Sequence, residues 1–332
     1  MQELTVRVPG TSANLGPGFD CLGIAFQIYN WFTFRWQNIE EVVSPKEQHD
    51  KLAVTSIEQL PMTEAYVQYA TLFDVDLPLL ESVESLASEV PVARGLGSSA
   101  TCYTAGAMAA AWVAEQLYDK ETILREIEDK LADFTIDPFS KEAALAIAAT
   151  IERHPDNLSP AVFGGLQIAR ILNHDNIPNV LNQKITVDPN VKFIVSYPNY
   201  SLKTKSARAI LPEKISREDA IFNLSALTFL TQGLENGNPN LIENGLKDRL
   251  HQPYRAELID GFYDILAIGK QAGALGSVLS GAGPAILTVY LNSEDGNLIC
   301  EKIKKELGKN WHVKQMELDD SGLIAKSGRI KF

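Results

Sequence analysis

Residues 91–101 read PVARGLGSSAT, and alanine-rich sequence follows immediately. Glycine loses much conformational entropy on folding, so Gly95 and Gly97 indicate a backbone that needs room or a positive φ. The small residues after them favour a long helix, which we predict over about 98–117. The stretch therefore predicts a loop that opens a helix against something negatively charged.

Three well-known glycine motifs do not account for this loop. A Walker A loop needs GxxxxGK[ST], and GK occurs only at 269–270 and 308–309, without the rest of the motif. A Rossmann fingerprint matches Gly95, Gly97 and Ala100, but the preceding EVPVAR carries a proline and charges where that motif has a buried strand. The nucleophile elbow GxSxG does not occur.

Two interpretations of the loop remain. The first is a helix start that the serines cap, with nothing bound. The second is a phosphate cradle, in which the N–H groups of a glycine-rich turn and the positive end of the helix hold an anion. In that case Ser98 and Ser99 offer hydroxyls to phosphate oxygens or to Mg²⁺, an arrangement that suits a nucleoside triphosphate.

Composition limits the class of protein. The chain has 332 residues, 45 % of them hydrophobic, and a net charge of -12 at pH 7. This length is enough for two domains, and the acidic charge argues against a general nucleic-acid partner. Three scattered cysteines indicate reduced thiols, and five histidines without HxxxH or a cysteine cluster argue against structural zinc. Without a signal-peptide pattern or an apolar run longer than residues 105–114, we expect no membrane and a cytoplasmic location.

The hydrophobic pattern predicts an α+β fold, with strands and helices mixed in both halves. Strands are predicted at 4–8, 24–36, 79–86, 164–172, twice within 184–198, on both sides of the 279–285 turn, and at 311–318. Helices are predicted at 51–60, 63–73, 98–117, 120–134, 140–151, 217–235, 239–248, 258–272 and 297–307, and a loop at 154–160. We predict two domains, residues 1–167 and 168–332.

Two other segments place polar residues among glycines. PGTSANLGPGFD, residues 9–20, follows the first strand. LSGAGPA, residues 279–285, lies between two strands, and Pro284 excludes a regular helix there. Taken alone, this second segment would be an ordinary hairpin turn.

Together the three segments resemble the motifs of the GHMP kinases, the family of galactokinase, homoserine kinase, mevalonate kinase and phosphomevalonate kinase. Residues 91–101 resemble its central PxxxGLGSSAA, and 279–285 its C-terminal glycine loop. Residues 9–20 are similar to P-A-T-S-A-N-L-G-x-G-F-D of the homoserine kinase branch, with Gly10 in place of alanine. RHPDN at 153–157 with the following PAVFGG, TKSARAILP at 204–212 and DRLHQPYR at 248–255 extend that resemblance, which runs from about residue 4 to 290. It implies a two-domain fold: an N-terminal ribosomal-protein-S5-domain-2-like domain with the phosphate loop, and a C-terminal ferredoxin-like α/β sandwich.

The resemblance also implies ATP and L-homoserine as substrates, Mg²⁺ as cofactor, and transfer of the γ-phosphoryl group to the homoserine hydroxyl. The nucleotide is expected at Pro91, Arg94, Gly95, Leu96, Gly97, Ser98, Ser99 and Ala100. The amino acid is expected at Asn14, Asp20, His154, Asn157, Thr204, Arg208 and Arg255, with Arg208 and Arg255 on its carboxylate and Asp20 and Asn14 at its amine and hydroxyl end. Plainer alternatives stay open: solvated surface arginines, a turn-forming aspartate and an ordinary loop histidine.

Few residues are expected to carry the chemistry. The resemblance implies Arg208, Asn157 and Asp20 as the catalytic set, acting through transition-state stabilisation rather than a strong base, and Ser99 and Glu152 as metal ligands. The branch has a motif like E-I-E-G-H-P-D-N, whose first glutamate binds Mg²⁺, whereas this chain has Thr150 there and Arg153 in place of glycine. Either Glu152 serves the metal, or serine, phosphates and water hold it, or activity has been reduced or lost.

Two rival functions stay open at this point. One is another small-molecule kinase of the same family, such as mevalonate kinase, although a two-arginine carboxylate clamp favours an amino acid. The other is a non-catalytic nucleotide-binding protein, for which Thr150 is the one supporting feature. The resemblance also suggests a possible homodimer.

Overall fold

The computed structural model describes residues 2–53, 55–128, 136–172, 177–291 and 296–328. Its strands are β1 Gln2–Ala13, β2 Leu22–Trp36, β3 Val42–Val43, β4 Leu77–Pro78, β5 Ser82–Ser88, β6 Leu166–Ile171, β7 Val180–Ile185, β8 Val191–Pro198, β9 Gly276–Leu279, β10 Ile286–Leu291, β11 Trp311–Met316 and β12 Ile324–Ser327. Its α-helices are α1 Pro45–Leu52, α2 Pro61–Phe73, α3 Ser98–Leu117, α4 Lys120–Glu128, α5 Lys141–Ile151, α6 Pro155–Phe163, α7 Thr204–Ala209, α8 Arg217–Asn236, α9 Pro239–Gly245, α10 Gln252–Arg255, α11 Phe262–Ala272 and α12 Gly296–Leu307. A short 3₁₀ turn, Ala256–Leu258, follows α10.

The first sheet has the order β12-β1-β2-β6-β7, with β5 also paired to β2, and all of its pairs are antiparallel. The alternating side chains Leu4, Val6 and Val8 of β1 are fully buried. They pack with α2, α3 and α5 in one core, because the alanines of α3 and α5 allow close packing of helix on helix and helix on sheet.

The second sheet has the order β11-β8-β10-β9 and is also antiparallel. Along the chain its strands and helices run strand, helices, strand, strand, helix, strand. In this arrangement the last strand lies beside the first, which is the ferredoxin-like pattern that the resemblance implied.

One hydrophobic cluster joins the two sheets. Phe26 of the first sheet packs edge-on against Phe193 of the second, with ring centroids 5.6 Å apart. Leu22 and Ile24 belong to the same cluster as Val195 and Leu287. This shared core fixes the position of the loops of one sheet relative to those of the other.

The chain returns to the first sheet at its C-terminal end. β12, which the sequence analysis did not predict, pairs with β1 in the register Leu4 to Ser327 and Arg7 to Ile324. The expected division between residues 167 and 168 falls inside β6, and β6 and β7 both pair within the first sheet. The division into domains 1–167 and 168–332 stays a prediction.

Several predicted helix and strand positions needed correction. Residues 154–160 were predicted as a loop, but α6 begins at Pro155, because proline at the first helical position needs no N–H partner, and it ends before Gly164. The helix predicted at 51–60 is wrong, since the helix there is α1, which begins behind the capping Ser44 and ends at Leu52. Of the helix predicted at 120–134, α4 covers the first part and residues 129–134 lie outside the described chain. The short helices α7 and α10 were not predicted.

Candidate active site

A cavity of about 380 Å³ lies where the three glycine-containing segments meet. Of the residues expected from the sequence, it is lined by Asn14, Asp20, Arg94, Gly95, Leu96, Gly97, Ser98, Ser99, Glu152, His154, Asn157, Thr204, Arg208 and Arg255. Pro91 and Ala100 are not among its lining residues, and Ala100 is buried in the core of the first sheet. Asp156, Gly281 and Ala282 also line the cavity and were not expected there, although all three lie inside the motifs described above.

The glycine loop before α3 has the backbone that its sequence predicts. Gly95 and Gly97 have φ values of 81° and 68°. A Cβ at Gly95 would lie 2.2 Å from the carbonyl oxygen of Ser280, so the two glycine loops touch backbone to backbone. Gly97 is the N-cap of α3 and offers no side chain to its N–H groups, so the alternative of a serine-capped helix start is wrong. Ser98 and Ser99 instead line the cavity.

Hydrogen bonds tie the three segments together. The Ser280 hydroxyl donates to the carbonyl oxygen of Gly95 at 2.6 Å and lies 2.8 Å from the Ser12 hydroxyl. The N–H of Gly281 donates to the carbonyl of Ala13 at 2.9 Å, and that of Ala285 to the carbonyl of Arg94 at 3.1 Å. Hydrogen bonds therefore join the three segments into one wall of the cavity.

Asp20 and Arg208 form a two-point ion pair across the cavity. The guanidinium nitrogens of Arg208 lie 2.9 and 2.6 Å from the two carboxylate oxygens of Asp20. Asp20 itself has a φ of 56°, and its N–H donates to the side-chain oxygen of Asn14 at 3.0 Å. Arg208 lies one helical turn after Thr204 on α7, so both side chains reach the cavity from one helix face.

Arg255 is a buried cation rather than a solvated surface residue. Its side chain is among the fully buried ones, and it donates to the carbonyl oxygens of Ala207 at 3.1 Å and Gly281 at 3.0 Å. Burial, and then the nearby charge of Arg208, lowers the pKa of Arg255 to about 10, so it is charged at neutral pH. Two positive side chains therefore converge on one region of the cavity wall, which suits a carboxylate.

The support behind Arg255 comes from the DRLHQPYR segment. The Asp248 carboxylate accepts the N–H groups of Leu250, His251 and Gln252 at the start of α10. The buried His251 ring stacks on Phe19 with centroids 5.1 Å apart, and its Nε2 lies 2.8 Å from the carbonyl oxygen of Gly16. The segment thus joins the helix that carries Arg255 to the loop that carries Asp20.

Two carboxylates at the cavity have buried oxygens without a hydrogen-bond partner in the part of the chain that the structure describes: Glu152 and Asp156. Burial raises the pKa of Glu152, and a hydrogen bond with Ser99 partly opposes that shift. Burial, followed by the charges of Asp20 and Glu152, raises the pKa of Asp156 to about 8. A buried carboxyl oxygen without a partner is costly in a folded protein, so each of the two is available to a ligand that brings a hydrogen-bond donor or a positive charge.

Thr150 does not lie among the residues that line the cavity. Its hydroxyl donates to the carbonyl oxygen of Ile147 at 2.7 Å, within α5. Glu152 follows as the C-cap of that helix and does line the cavity. The cavity wall therefore contains a carboxylate, that of Glu152, although the residue two positions earlier is Thr150 rather than glutamate.

The remaining polar groups supply hydrogen bonds rather than charge. Burial, and then Arg208, lowers the pKa of His154, so the imidazole is neutral at pH 7. Asn157 accepts a hydrogen bond on its Oδ1 from the Thr11 hydroxyl at 2.9 Å. Among the described residues, no group of three or more His, Cys, Asp or Glu side chains is placed to hold a metal ion.

Comparison with known proteins gives relatives over the whole chain. The model of the GHMP kinase N-terminal domain matches residues 65–165, and that of the GHMP kinase C-terminal domain matches 230–310. The homoserine kinase of Clostridium botulinum strain Langeland is 34 % identical over 329 residues, 98 % of this chain and 99 % of that protein. The homoserine kinase of Clostridium beijerinckii is 35 % identical over 333 residues, with the same coverage.

Solved structures agree on the fold. The crystal structure of homoserine kinase from Cytophaga hutchinsonii superposes with a TM-score of 0.74 at 23 % identity, covering 98 % of this chain and 97 % of that one. The mevalonate kinase of Methanococcus jannaschii superposes with a TM-score of 0.60 at 13 % identity, covering 95 % and 98 %. At these identities the likeness concerns the fold alone. The two domain matches and the full-length similarity to the clostridial enzymes show that this chain belongs to the GHMP kinase family, in its homoserine kinase branch.

Proposed function

We propose that this protein transfers the γ-phosphoryl group of ATP to the hydroxyl of L-homoserine, which forms O-phospho-L-homoserine and ADP. The observation that carries the proposal is one cavity with a glycine loop and helix N-terminus in its wall, together with two converging arginines. The first feature suits phosphates and the second suits the carboxylate of an amino acid. The clostridial relatives carry the name of this activity.

The nucleotide phosphates would bind along Gly95, Gly97, Ser98 and Ser99. The N–H groups of the first turn of α3 have no side-chain cap, so they are available to an anion. Arg94 is held by its own hydrogen bonds to the carbonyl oxygens of Pro198 and Val92, so we assign it to loop shape rather than to direct phosphate contact.

The residues present fit a magnesium ion. Glu152 offers a buried carboxylate oxygen without a partner, and Ser99 beside it offers a hydroxyl. Magnesium prefers oxygen ligands and takes few of them from protein, because phosphates and water complete its shell. When bound, it would neutralise charge on the phosphates during transfer.

The amino acid would bind beside the arginine and aspartate side chains of the cavity. Arg255 would hold its carboxylate, together with Nε of Arg208, which has no hydrogen-bond partner among the described residues, whereas the other two nitrogens of that side chain pair with Asp20. Both oxygens of Asp20 are engaged by Arg208, so we propose that the unpartnered Asp156 accepts the substrate ammonium, with Asn14, His154 and Thr204 adding hydrogen bonds. An ammonium beside Asp156 would favour its ionised form and compensate the burial of that charge.

Catalysis would rest on positioning and on stabilisation of charge. Asn157 stands where a base would be useful, but an amide cannot take up a proton at neutral pH. As the substrate oxygen bonds to the γ-phosphorus, the bond from that phosphorus to the β,γ-bridging oxygen would break and release ADP. The hydroxyl proton would leave late and pass to an oxygen of the transferred phosphoryl group, whose charge Arg208 would help to stabilise. No strong base is required in such a transition state.

The test is ADP release by the purified protein with ATP and Mg²⁺, comparing L-homoserine, L-serine, L-threonine, mevalonate and no acceptor. Turnover with homoserine alone is the expected result. Turnover with another acceptor would show that homoserine is not the substrate or not the only one. ATP binding without turnover on any acceptor would support the non-catalytic alternative. Thr150, the feature that favoured that alternative, lies outside the cavity lining, and Glu152 remains available to a metal.

Two further expectations belong with this proposal. Within the described residues, no helix is both long and apolar enough to cross a bilayer. Since ATP is the proposed phosphoryl donor, we propose that the enzyme works in the cytoplasm. A homodimer is proposed on the resemblance alone, and light scattering in solution would measure it.

A further inference from the structure

Thr11 is a buried polar residue beside the cavity. It lies in β1, is fully buried, and does not itself line the cavity. Its hydroxyl donates to Oδ1 of Asn157 at 2.9 Å, and its N–H donates to the carbonyl oxygen of Leu96 in the glycine loop at 3.1 Å. Thr11 thus joins the start of α6 to the loop before α3.

The hydrogen bond from Thr11 fixes which end of the Asn157 amide faces the cavity. The oxygen end is taken by Thr11, and the Nδ2 group makes no hydrogen bond to any residue that the structure describes. Gly97 covers the pair, because a Cβ at that position would lie 2.0 Å from the Thr11 Oγ1 and 3.1 Å from the Asn157 Oδ1. Asn157 is therefore held with its two N–H donors free for a ligand.

We propose that Thr11 is a positioning residue, which holds Asn157 as a hydrogen-bond donor to the oxygens around the transferred phosphoryl group. This inference rests on the proposed phosphoryl transfer. Charge on those oxygens changes most in the transition state, so a correctly aimed donor raises kcat more than it tightens ground-state binding. Without Thr11 the amide would be free to turn, and its oxygen would then face anionic phosphate.

The test is a set of variants at Thr11 and Asn157. Thr11→Val keeps the shape of the side chain and removes the donor, so kcat should fall about tenfold, with both KM values within about twofold of wild type. Thr11→Ser keeps the hydroxyl and should retain kcat within about threefold. In an Asn157→Ala background, adding Thr11→Val should change kcat by less than about twofold, because the two residues act through one contact.

Thr5→Val is the matched control. Thr5 lies on the same strand and is also buried, but its hydroxyl donates to the carbonyl oxygen of Gly328, away from the cavity. This variant should keep the kcat of the wild type, and thermal unfolding of all variants checks that each is folded. A Thr11→Val enzyme with wild-type kcat, equal losses in Thr11→Val and Thr11→Ser, or additive losses with Asn157→Ala would each overturn the inference.

The assay separates this inference from the proposed function. Wild-type turnover identifies the acceptor, and the ratios between variants are then measured with whichever acceptor it uses. A change of acceptor would therefore correct the function and leave the role of Thr11 to be decided by those ratios. A folded wild type without turnover on any acceptor would contradict both.

Discussion

At the scale of single residues, the cavity holds positive and negative groups that are only partly matched to each other. Asp20 and Arg208 neutralise one another, whereas Arg255, Glu152 and Asp156 have no ionic partner of their own in the hydrogen bonds and ion pairs of the described chain. A ligand that brings both an ammonium and a carboxylate, together with a metal-bound phosphate, would complete this pattern.

Glu152 and Thr150 give the first residue-scale prediction. Glu152→Gln should raise the Mg²⁺ concentration for half-maximal activity by about tenfold, since a neutral amide is a poor ligand for a hard cation. Thr150→Ala is the control, because the Thr150 hydroxyl bonds only within α5, and its Mg²⁺ requirement should match the wild type. A magnesium titration of initial rates measures both variants. Equal Mg²⁺ requirements in Glu152→Gln and wild type would remove Glu152 from the metal site.

Asp156 gives a pH-dependent prediction. An aspartate in an unfolded chain titrates near 4, whereas burial and the neighbouring carboxylates raise the pKa of Asp156 in the fold to about 8. The folded protein therefore retains a proton that the unfolded chain releases, and its contribution to stability falls as the pH rises from about 4 to 8. Asp156→Asn removes this loss, so its advantage in unfolding free energy over wild type should grow to the order of 5 kcal/mol by pH 8.

Urea unfolding at pH 5, 6.5 and 8 measures the effect of Asp156→Asn. Asp50→Asn, on the exposed face of α1, controls for the loss of a carboxylate as such. Parallel stability curves for Asp156→Asn and wild type would show that Asp156 does not hold a proton in the fold. The same variant should bind homoserine more weakly, because an amide cannot balance the ammonium charge.

At the scale of elements, the loop before α3 combines positive φ values with close backbone contacts, and the two can be separated by substitution. Gly97 and Gly308 both have positive φ, 68° and 72°. A Cβ at Gly97 would meet Thr11 and Asn157, whereas a Cβ at Gly308 would meet nothing within 4 Å. Alanine at either position would be strained by about 1–2 kcal/mol, because an L residue disfavours positive φ. Only the substitution at Gly97 would also disturb the cavity.

We therefore expect Gly97→Ala and Gly308→Ala to lose similar unfolding free energy from backbone strain. Gly97→Ala should in addition lose at least about tenfold in kcat, because the Thr11–Asn157 contact must move to make room. Thermal unfolding and steady-state kinetics on the two proteins give the comparison. If Gly308→Ala lost as much activity as Gly97→Ala, backbone strain alone would explain the effect and the contact would not matter.

The elements also show what a sequence can and cannot predict. The bounds of α3 were predicted correctly, because a glycine loop and a run of small residues are local signals. α6 was missed, since Pro155, Asp156 and Asn157 are typical both of a turn and of the first turn of a helix, and the local sequence does not decide between the two. The motifs predicted that Asp20, Arg208 and Arg255 lie at one site, and all three line the same cavity. The pairing of Asp20 with Arg208 and the high pKa of Asp156 depend on burial and distance, which sequence patterns do not contain.

At the scale of the whole molecule, the chain beyond the second sheet closes back onto the first. Asp319 is 3 % exposed and lies just before β12. Its carboxylate accepts from Arg7 at 3.3 Å, from the Tyr29 hydroxyl at 2.9 Å and from the N–H groups of Ser321 and Gly322. One buried carboxylate thus joins the returning segment to strands β1 and β2, remote from the residues that line the cavity.

Asp319→Asn should lower the free energy of unfolding by about 2 kcal/mol, because it weakens several charge-assisted hydrogen bonds in a buried site at once. Its neighbour is the matched control: the Asp320 carboxylate is 75 % exposed and pairs with Lys184, itself 41 % exposed, so Asp320→Asn should cost less than about 1 kcal/mol. Denaturant unfolding measures both variants, and kcat and KM at a temperature where both are folded should stay at wild-type values. A large activity loss in Asp319→Asn without loss of stability would mean that the returning segment acts on the cavity and does not simply hold the two ends of the chain together.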